Sequence, residues 1–123
     1  MLFSVIIPVY NRPEELLRLL ESLSRQTLDD FEVLVVEDGS SLSSEAIARS
    51  FNNKLRIKYY YQENTGQGFA RNKGMEQAQG DYFVFFDSDC IIPSNYFKVL
   101  YRVLQARKLD AHGGPDDAGE DFS

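Results

Sequence analysis

Two aspartates one residue apart, Asp87 and Asp89, follow the apolar run at residues 82–86. Aromatic and β-branched residues make up that run, which is typical of a buried strand, so the two carboxylates would stand at one edge of a sheet. Ionised carboxylates are costly to bury without a partner, and these two need solvent, a hydrogen-bonding ligand or a divalent cation. A bound metal is the sharpest hypothesis, but an Asp-x-Asp triplet is weak evidence without its context.

Similar polar residues follow two earlier apolar runs. Tyr10 and Asn11 come after the first run, and Glu37 and Asp38 come after the second. If these runs are strands of one parallel sheet, ligands bind beyond their carboxyl ends, and the three clusters would surround one crevice. Such a convergence indicates a binding site more strongly than any one cluster, because Asp38-Gly39 alone is also compatible with a simple turn.

The sequence predicts strands and helices that alternate along the chain. Strands are predicted at residues 2–8, 31–36, 55–61 and 82–86, and helices at 13–23, 44–49, 69–79 and 94–108. This alternation implies right-handed crossovers and a mostly parallel sheet with helices on both faces, which is an α/β, Rossmann-like fold. The third strand is more polar and is expected at an edge. We expect the strand order 3-2-1-4, in which the ends of strands one and four flank the point where the order reverses.

Two single residues predict where elements end. Pro8 lacks a backbone N–H, so it is expected to end the first strand. Gly80 is expected to close the third helix as its carboxyl-terminal cap.

Length, composition and charge limit the classes of protein to which the chain can belong. With 123 residues and 43% hydrophobic content, one domain with its own core is expected. A formal net charge of -6 argues against a general nucleic-acid binder. The single Cys90 excludes an internal disulfide and a thiolate metal site, which fits a reducing compartment. Since no apolar run is long enough to span a membrane, we interpret the chain as soluble and cytoplasmic.

The loop before the third helix contains Gly66 and Gly68, which permit close approach of a ligand to the backbone. It resembles a phosphate cradle, but it lacks the third glycine of the dinucleotide fingerprint and follows strand three, so an ordinary helix start is the alternative. Arg71, in the first turn of that helix, either pairs with a surface acid or points at an anion. His112 lies in the tail and is expected to be exposed to solvent.

Four motifs stand in a specific order and spacing along the chain. They are SVIIPVYN at 4–11, VVEDGS at 35–40, NxGxGxARN at 64–72, and GDY at 80–82 leading to DSD at 87–89. Together they resemble the nucleotide-binding half of the family 2 glycosyltransferases, which have the GT-A fold. The resemblance covers about residues 3–108 and is specific because it rests on four motifs and not on one.

The resemblance implies how individual residues would bind a nucleoside diphosphate sugar. Tyr10 would stack near the nucleobase, Asp38 would contact the base, and Arg71 would lie near the base or the diphosphate. Asp87 would contact the ribose, and Asp89 would coordinate Mn²⁺ or Mg²⁺, which suits the charge of a leaving diphosphate. The full set implied for the nucleotide sugar is Pro8, Tyr10, Asn11, Glu37, Asp38, Gly66, Arg71, Asp87 and Ser88, with Asp89 and Asp87 at the metal.

The sequence departs from the family pattern at two places. Glu37 stands where the family usually has an aspartate. The family places its acceptor site and general base in a later segment, whereas residues 110–123 are expected to be an acidic loop or disordered tail that leads to an acceptor half outside the chain. Asp121 in this tail is a candidate base. Residues 1–109 are therefore expected to be the nucleotide-sugar-binding domain.

The leading hypothesis is a metal-dependent, inverting glycosyltransferase that uses a nucleoside diphosphate sugar and a saccharide, lipid-linked or other acceptor. No nucleic acid is expected as a partner, and peripheral attachment to the inner face of the membrane is compatible with this hypothesis. A nucleotidyltransferase is the alternative enzyme, but it would need a glycine-rich, lysine-bearing loop after strand one. A non-catalytic domain of receiver type is a third alternative, and it would need an acid pair there.

Overall fold

The computed structural model describes residues 1–63 and 66–110, in which strands and helices alternate as predicted. The strands are β1 (Phe3–Val9), β2 (Phe31–Asp38), β3 (Ile57–Gln62) and β4 (Tyr82–Phe85). The helices are α1 (Pro13–Ser24), α2 (Glu45–Ser50), α3 (Gln67–Gln77) and α4 (Tyr96–Asp110). The expectations for His112 and Asp121 fall outside the described residues. Within those residues, none of the helices combines the length and apolarity needed to cross a bilayer.

The four strands form one parallel sheet with the order β3-β2-β1-β4, which confirms the predicted topology. Val5 of β1 pairs with Val33 of β2 and with Val84 of β4. Successive strand residues point to opposite faces. Val5 therefore packs in a core with α1, α2 and α4, while its neighbour Ile6 packs in a smaller core with α3 on the other face. The carboxyl ends of β1 and β4 flank the point where the strand order reverses.

Phe97 anchors α4 on the sheet. It is fully buried, and its ring centroid lies 5.2 Å from that of Phe3 and 4.5 Å from that of Phe31. Burying an aromatic side chain of this size contributes roughly 2–3 kcal/mol. This anchor fixes the far end of the connection between β4 and α4, which carries Asp87 and Asp89.

Pro8 does not end β1, contrary to the sequence prediction. The strand continues to Val9, and Pro8 pairs in register with Val36 of β2. Pairing with β4 stops at Ile6, so β1 has a neighbour on one side only when it reaches Pro8. A proline is tolerated there because no ladder bond is lost on the open side.

Gly80 is not the cap of α3, and its role is different from the predicted one. The helix ends at Gln77, and Ala78 is already extended. The backbone of Gly80 lies against β1, where an added Cβ would stand 2.7 Å from the carbonyl carbon of Phe3 and from the nitrogen of Ser4. A glycine is therefore required by close packing of two backbones rather than by helix capping.

A buried carboxylate, that of Glu32, ties the connection between α3 and β4 to the sheet. Its Oε2 accepts hydrogen bonds from the Ser4 hydroxyl and from the Gln79 backbone N–H, each at 2.6 Å. The Ser4 Oγ in turn accepts a bond from the Gly80 N–H at 2.7 Å. Lys58 places its Nζ 3.8 Å from Glu32 Oε1, which partly compensates the buried charge.

Candidate functional site

An open cleft of about 460 Å³ lies at the carboxyl ends of β1, β2 and β4. It is lined by Pro8, Tyr10, Arg12, Asp38, Gly66, Gln67, Asp87, Ser88 and Asp89. Parallel strands deliver the residues that follow them to one edge of the sheet, which is why three polar clusters distant in sequence meet here. Each of the three clusters therefore contributes at least one residue to the cleft, and Arg12 and Gln67 line it as well although the sequence motifs did not single them out.

The loop after β4 directs its two acids outward. Asp87 and Asp89 are exposed, while Ser88 between them is buried. The Cys90 N–H donates to the carbonyl of Asp87 at 3.1 Å, which closes a tight turn over these residues. The turn therefore leaves two exposed carboxylates in the lining of the cleft.

Tyr10 also lines the cleft. It directly follows β1, and half of its side chain remains exposed, 50% by area. A tyrosine ring that is neither packed into the core nor fully solvated offers a flat apolar surface. Such a surface is suited to stack on a planar ring of a ligand.

Asp38 connects the end of β2 to the start of α3. Only 5% of it is exposed. Its Oδ1 accepts a hydrogen bond from Gln62 Nε2 at 3.1 Å, and its Oδ2 accepts one from the Gly66 N–H at 2.9 Å. Gly66 has φ 102, a backbone conformation that favours glycine. The hydrogen bond between Asp38 and Gly66 therefore fixes the end of the cleft at which α3 begins.

Glu37, the neighbour of Asp38, does not line the cleft. Its carboxylate is fully buried, and Oε1 accepts hydrogen bonds from the Ser44 N–H at 2.6 Å and from the Tyr59 hydroxyl at 2.8 Å. Burial, followed by the hydrogen bond to Glu37, raises the pKa of Tyr59 to about 12, so this hydroxyl keeps its proton at neutral pH. Glu37 therefore holds α2 and β3 together behind the cleft wall.

Asn11 also lies outside the cleft lining and connects two loops. It has φ 52, and its Oδ1 accepts hydrogen bonds from the N–H groups of Ser41 and Leu42 at 2.8 and 2.9 Å. Its own N–H donates to Ser40 Oγ at 2.8 Å. Asparagine tolerates this left-handed conformation better than most residues. These bonds fasten the loop that carries Tyr10 to the loop after β2.

Replacing Asn11 by alanine is expected to destabilise the chain by about 1–2 kcal/mol, because two backbone N–H groups lose their acceptor. Asn11→Asp keeps the acceptor oxygen and should stay within about 0.5 kcal/mol of the unchanged chain. Urea unfolding curves followed by circular dichroism measure both variants. Equal stability of Asn11→Ala and the unchanged chain would show that the connection between these loops contributes nothing.

The two arginines near this edge differ in their position relative to the cleft. Arg71 does not line the cleft, and its guanidinium carbon lies 6.0 Å from the centre of the Phe85 ring. Arg12 lines the cleft, and its Nη1 donates to Glu15 Oε2 at 2.9 Å. That bond, the charge of Glu15 and, to a lesser extent, the charge of Asp89 raise the pKa of Arg12.

The acids of the cleft suit a hard divalent cation. Asp87 and Asp89 offer carboxylate oxygens, the donor type that Mg²⁺ and Mn²⁺ prefer. Across residues 1–63 and 66–110 no group of three or more His, Cys, Asp or Glu side chains is arranged to hold a metal. A cation held by one or two carboxylates would therefore complete its coordination with water and ligand oxygens, as Mg²⁺ often does.

Comparison with protein families gives a match over nearly the whole chain. Residues 4–122 match the family described as Glycosyl transferase family 2. The chain is 40% identical to validoxylamine A glucosyltransferase of Streptomyces hygroscopicus subsp. jinggangensis, over 95% of this chain and 27% of that protein. It is 37% identical to the cholesterol galactosyltransferase of Borreliella burgdorferi, over 87% of this chain and 30% of that protein. The chain thus spans about a quarter to a third of these relatives.

Solved structures with the same arrangement of strands and helices include two nucleotide complexes. S. aureus TarS 1-349 in complex with UDP superposes with a TM-score of 0.83 at 35% identity, covering 88% of this chain and 33% of that one. Mannosyltransferase PcManGT from Pyrobaculum calidifontis, in complex with GDP-Man and Mn2+, gives 0.69 at 26% identity, with 74% and 28% coverage.

Proposed function

Since this chain belongs to glycosyl transferase family 2, we propose that it forms the donor-binding part of an enzyme that transfers a sugar from a nucleoside diphosphate sugar. The observation that carries the proposal is the cleft in which Tyr10, Asp38 and the Asp87–Asp89 turn meet. Neighbouring structures contain UDP or GDP-Man, which supports a nucleotide sugar as the donor. Residues 1–109 would form this donor-binding domain.

The nucleoside would lie between Tyr10 and the Asp38 side of the cleft. The half-exposed Tyr10 ring would stack on the base. Asp38, which accepts bonds from Gln62 and from the Gly66 N–H, would contact the base from the other side. Asp87 would accept a ribose hydroxyl. Pro8, Gly66 and Ser88 would shape the walls by contact.

Asp89, with Asp87 beside it, would hold Mn²⁺ or Mg²⁺. When bound, the cation would neutralise the charge that develops on the leaving diphosphate. The turn closed by Cys90 would keep both carboxylates in place for this role. Mn2+ in the complex of PcManGT, a structural neighbour, supports a divalent cation at this site.

Residues outside the cleft lining would act by positioning those inside it. Glu37 and Asn11 would fix the β2 end and the Tyr10 loop through the hydrogen bonds described above. Arg71 would reach the base or the diphosphate only after a change of side-chain conformation. These assignments replace direct nucleotide contact for Glu37 and Asn11.

We propose inversion by direct displacement, in which an acceptor hydroxyl attacks the anomeric carbon while the diphosphate leaves. That step needs a base to take the hydroxyl proton. Asp121 lies outside the described residues and remains the candidate that this chain offers.

The relatives named above act on acceptors as different as validoxylamine A and cholesterol, so a saccharide, a lipid-linked molecule or another compound fits equally well. We place the enzyme in the cytoplasm, where it would be free or peripheral to the inner face of the membrane.

The two alternatives have less support. Tyr10-Asn11-Arg12-Pro13 after β1 contains neither the glycines nor the lysine that a nucleotidyltransferase loop would need. A receiver-type domain would need an acid pair at the same place. The family match and the shared topology instead favour a glycosyltransferase.

Calorimetric titration of the folded chain with UDP, GDP and dTDP, each with and without Mn²⁺, tests the proposal. We expect at least one diphosphate to bind, with an affinity at least about tenfold higher when Mn²⁺ is present, because the cation links carboxylate and phosphate oxygens. Absence of binding to all three diphosphates in a folded sample would refute the proposal.

A further inference from the structure

The charges around the cleft are unbalanced for an anionic ligand. Asp38, Asp87 and Asp89 are acidic, and among the cleft-lining residues of the described chain Arg12 alone is cationic. Two carboxylates at the metal already balance one divalent cation. A bound diphosphate would therefore bring surplus negative charge into a cleft that Asp38 also lines, and this charge needs another positive partner.

Arg12 occupies the place where such a partner would act. It immediately precedes α1 and lines both the cleft and a neighbouring groove of about 260 Å³, which Asp89 also lines. The two side chains therefore share the wall between the cavities. A phosphate held beside Asp89 through a cation would lie within reach of this guanidinium.

The present partner of Arg12 is weak and local. Its Nη1 donates to Glu15 Oε2 at 2.9 Å, one turn along α1, and the Arg12 side chain is 55% exposed. Exposed ion pairs within a helix contribute little because water screens them. A diphosphate offers several oxygens to the planar guanidinium and can form two parallel hydrogen bonds. It would compete successfully with a single exposed carboxylate.

We propose that Arg12 contacts the diphosphate of the bound nucleotide sugar. When no nucleotide sugar is bound, the guanidinium of Arg12 pairs with Glu15 instead. This inference rests on the proposed function, because it presupposes a nucleoside diphosphate in the cleft. It adds a cationic contact from the loop between β1 and α1 to a site otherwise built from acids.

The test compares binding of a nucleoside diphosphate with binding of its nucleoside. The probes are whichever of UDP, GDP and dTDP the unchanged chain binds best, and the matching nucleoside, each with Mn²⁺. Arg12→Gln is expected to weaken diphosphate binding on the order of tenfold and to leave nucleoside binding unchanged, because only the charge-assisted phosphate contact is lost. Glu15→Gln should strengthen diphosphate binding roughly twofold, since it removes a competitor.

Arg18→Gln is the matched control. Arg18 is exposed on α1, the helix that follows Arg12, and it lines the neighbouring groove but not the donor cleft. Arg18→Gln removes one positive charge, as Arg12→Gln does. A general electrostatic effect would therefore weaken diphosphate binding in both arginine variants. Circular dichroism of each variant verifies that the fold is retained.

The outcomes separate the two proposals. If the unchanged chain binds none of the diphosphates, the proposed function fails and this inference fails with it. If the chain binds a diphosphate but Arg12→Gln binds it equally well, or if Arg18→Gln loses as much affinity, only the role of Arg12 is refuted. Equal loss of nucleoside and diphosphate binding in Arg12→Gln would also refute it, because the residue would then shape the base pocket.

Discussion

Asp89→Asn is expected to remove the Mn²⁺-dependent part of nucleoside diphosphate binding, a loss of about tenfold or more. Changes to residues that merely support metal ligands typically cost 10-fold to 100-fold in affinity, and a direct ligand should cost at least as much. Asp89 is exposed on a turn, so the free energy of unfolding should change by less than about 0.5 kcal/mol. Calorimetry with and without Mn²⁺, together with urea unfolding, measures both quantities.

Asp81→Asn provides the control for that variant. Asp81 is exposed and directly precedes β4, at the opposite edge of the sheet from the cleft. Asp81→Asn removes one negative charge from the chain, as Asp89→Asn does. The affinity of the Asp81→Asn variant for the diphosphate should nevertheless stay within about twofold of that of the unchanged chain, because long-range charge effects are screened by salt. Unchanged Mn²⁺-dependent affinity in Asp89→Asn would exclude this side chain as a metal ligand.

Gly80→Ala is expected to destabilise the chain by about 3 kcal/mol, the upper part of the usual range for an overpacked site. The added methyl would stand 2.7 Å from the backbone of Phe3 and Ser4, which cannot move aside as a flexible side chain could. Relief would require separating the connection before β4 from β1, and this would weaken the hydrogen bond that the Gly80 N–H donates to Ser4 Oγ. Urea unfolding measures the loss, which is a large share of the stability of an ordinary domain.

Gly68→Ala is the matched control in the same part of the chain. Gly68 lies in α3, and an added Cβ there would meet no atom within 4 Å. Alanine is the better helix former, so the variant should gain up to about 1 kcal/mol. Equal stability of Gly80→Ala and the unchanged chain would mean that the close approach of the two backbones is not required.

The topology followed from the sequence because its physical signals are local and repeated. Continuous apolar runs predicted β1 and β2 as buried strands, and both are fully buried in the structure. The polar third run predicted an edge strand, and β3 lies at the edge. Once four parallel strands were ordered, the meeting of Tyr10, Asp38 and Asp87 at one edge followed from chain direction alone.

The different roles of Glu37 and Asp38 could not be read from the sequence. Both are acids at the end of one strand, but adjacent strand residues point to opposite faces. Glu37 points to the face where α2 begins and Tyr59 donates to it, while Asp38 points toward Gly66 and the cleft. Only the sheet register and the path of the following loop decide which acid faces the ligand.

The roles of Gly80 and of the two arginines could not be read from the sequence either. A glycine after a helix is usually a cap, and only the tertiary contact with β1 shows why this one is needed. Arg12 precedes a proline in a short loop and gave no signal of its own, whereas Arg71 lies in a motif. Arg12 lines the cleft because α1 begins only a few residues after β1 ends, which keeps the connecting loop at the carboxyl end of the strand.

Paramagnetic broadening by Mn²⁺ in the presence of UDP, recorded on backbone amides by NMR, tests most directly that the cleft is a metal and nucleotide site. We expect the strongest broadening at residues 87–89 and 10–12, with much weaker effects at Asp29 and Asp30, roughly 20 Å away along the strands. The pattern should disappear in Asp89→Asn. Broadening centred on Asp29 and Asp30, or unchanged in Asp89→Asn, would show that the cleft does not bind the metal and the nucleotide.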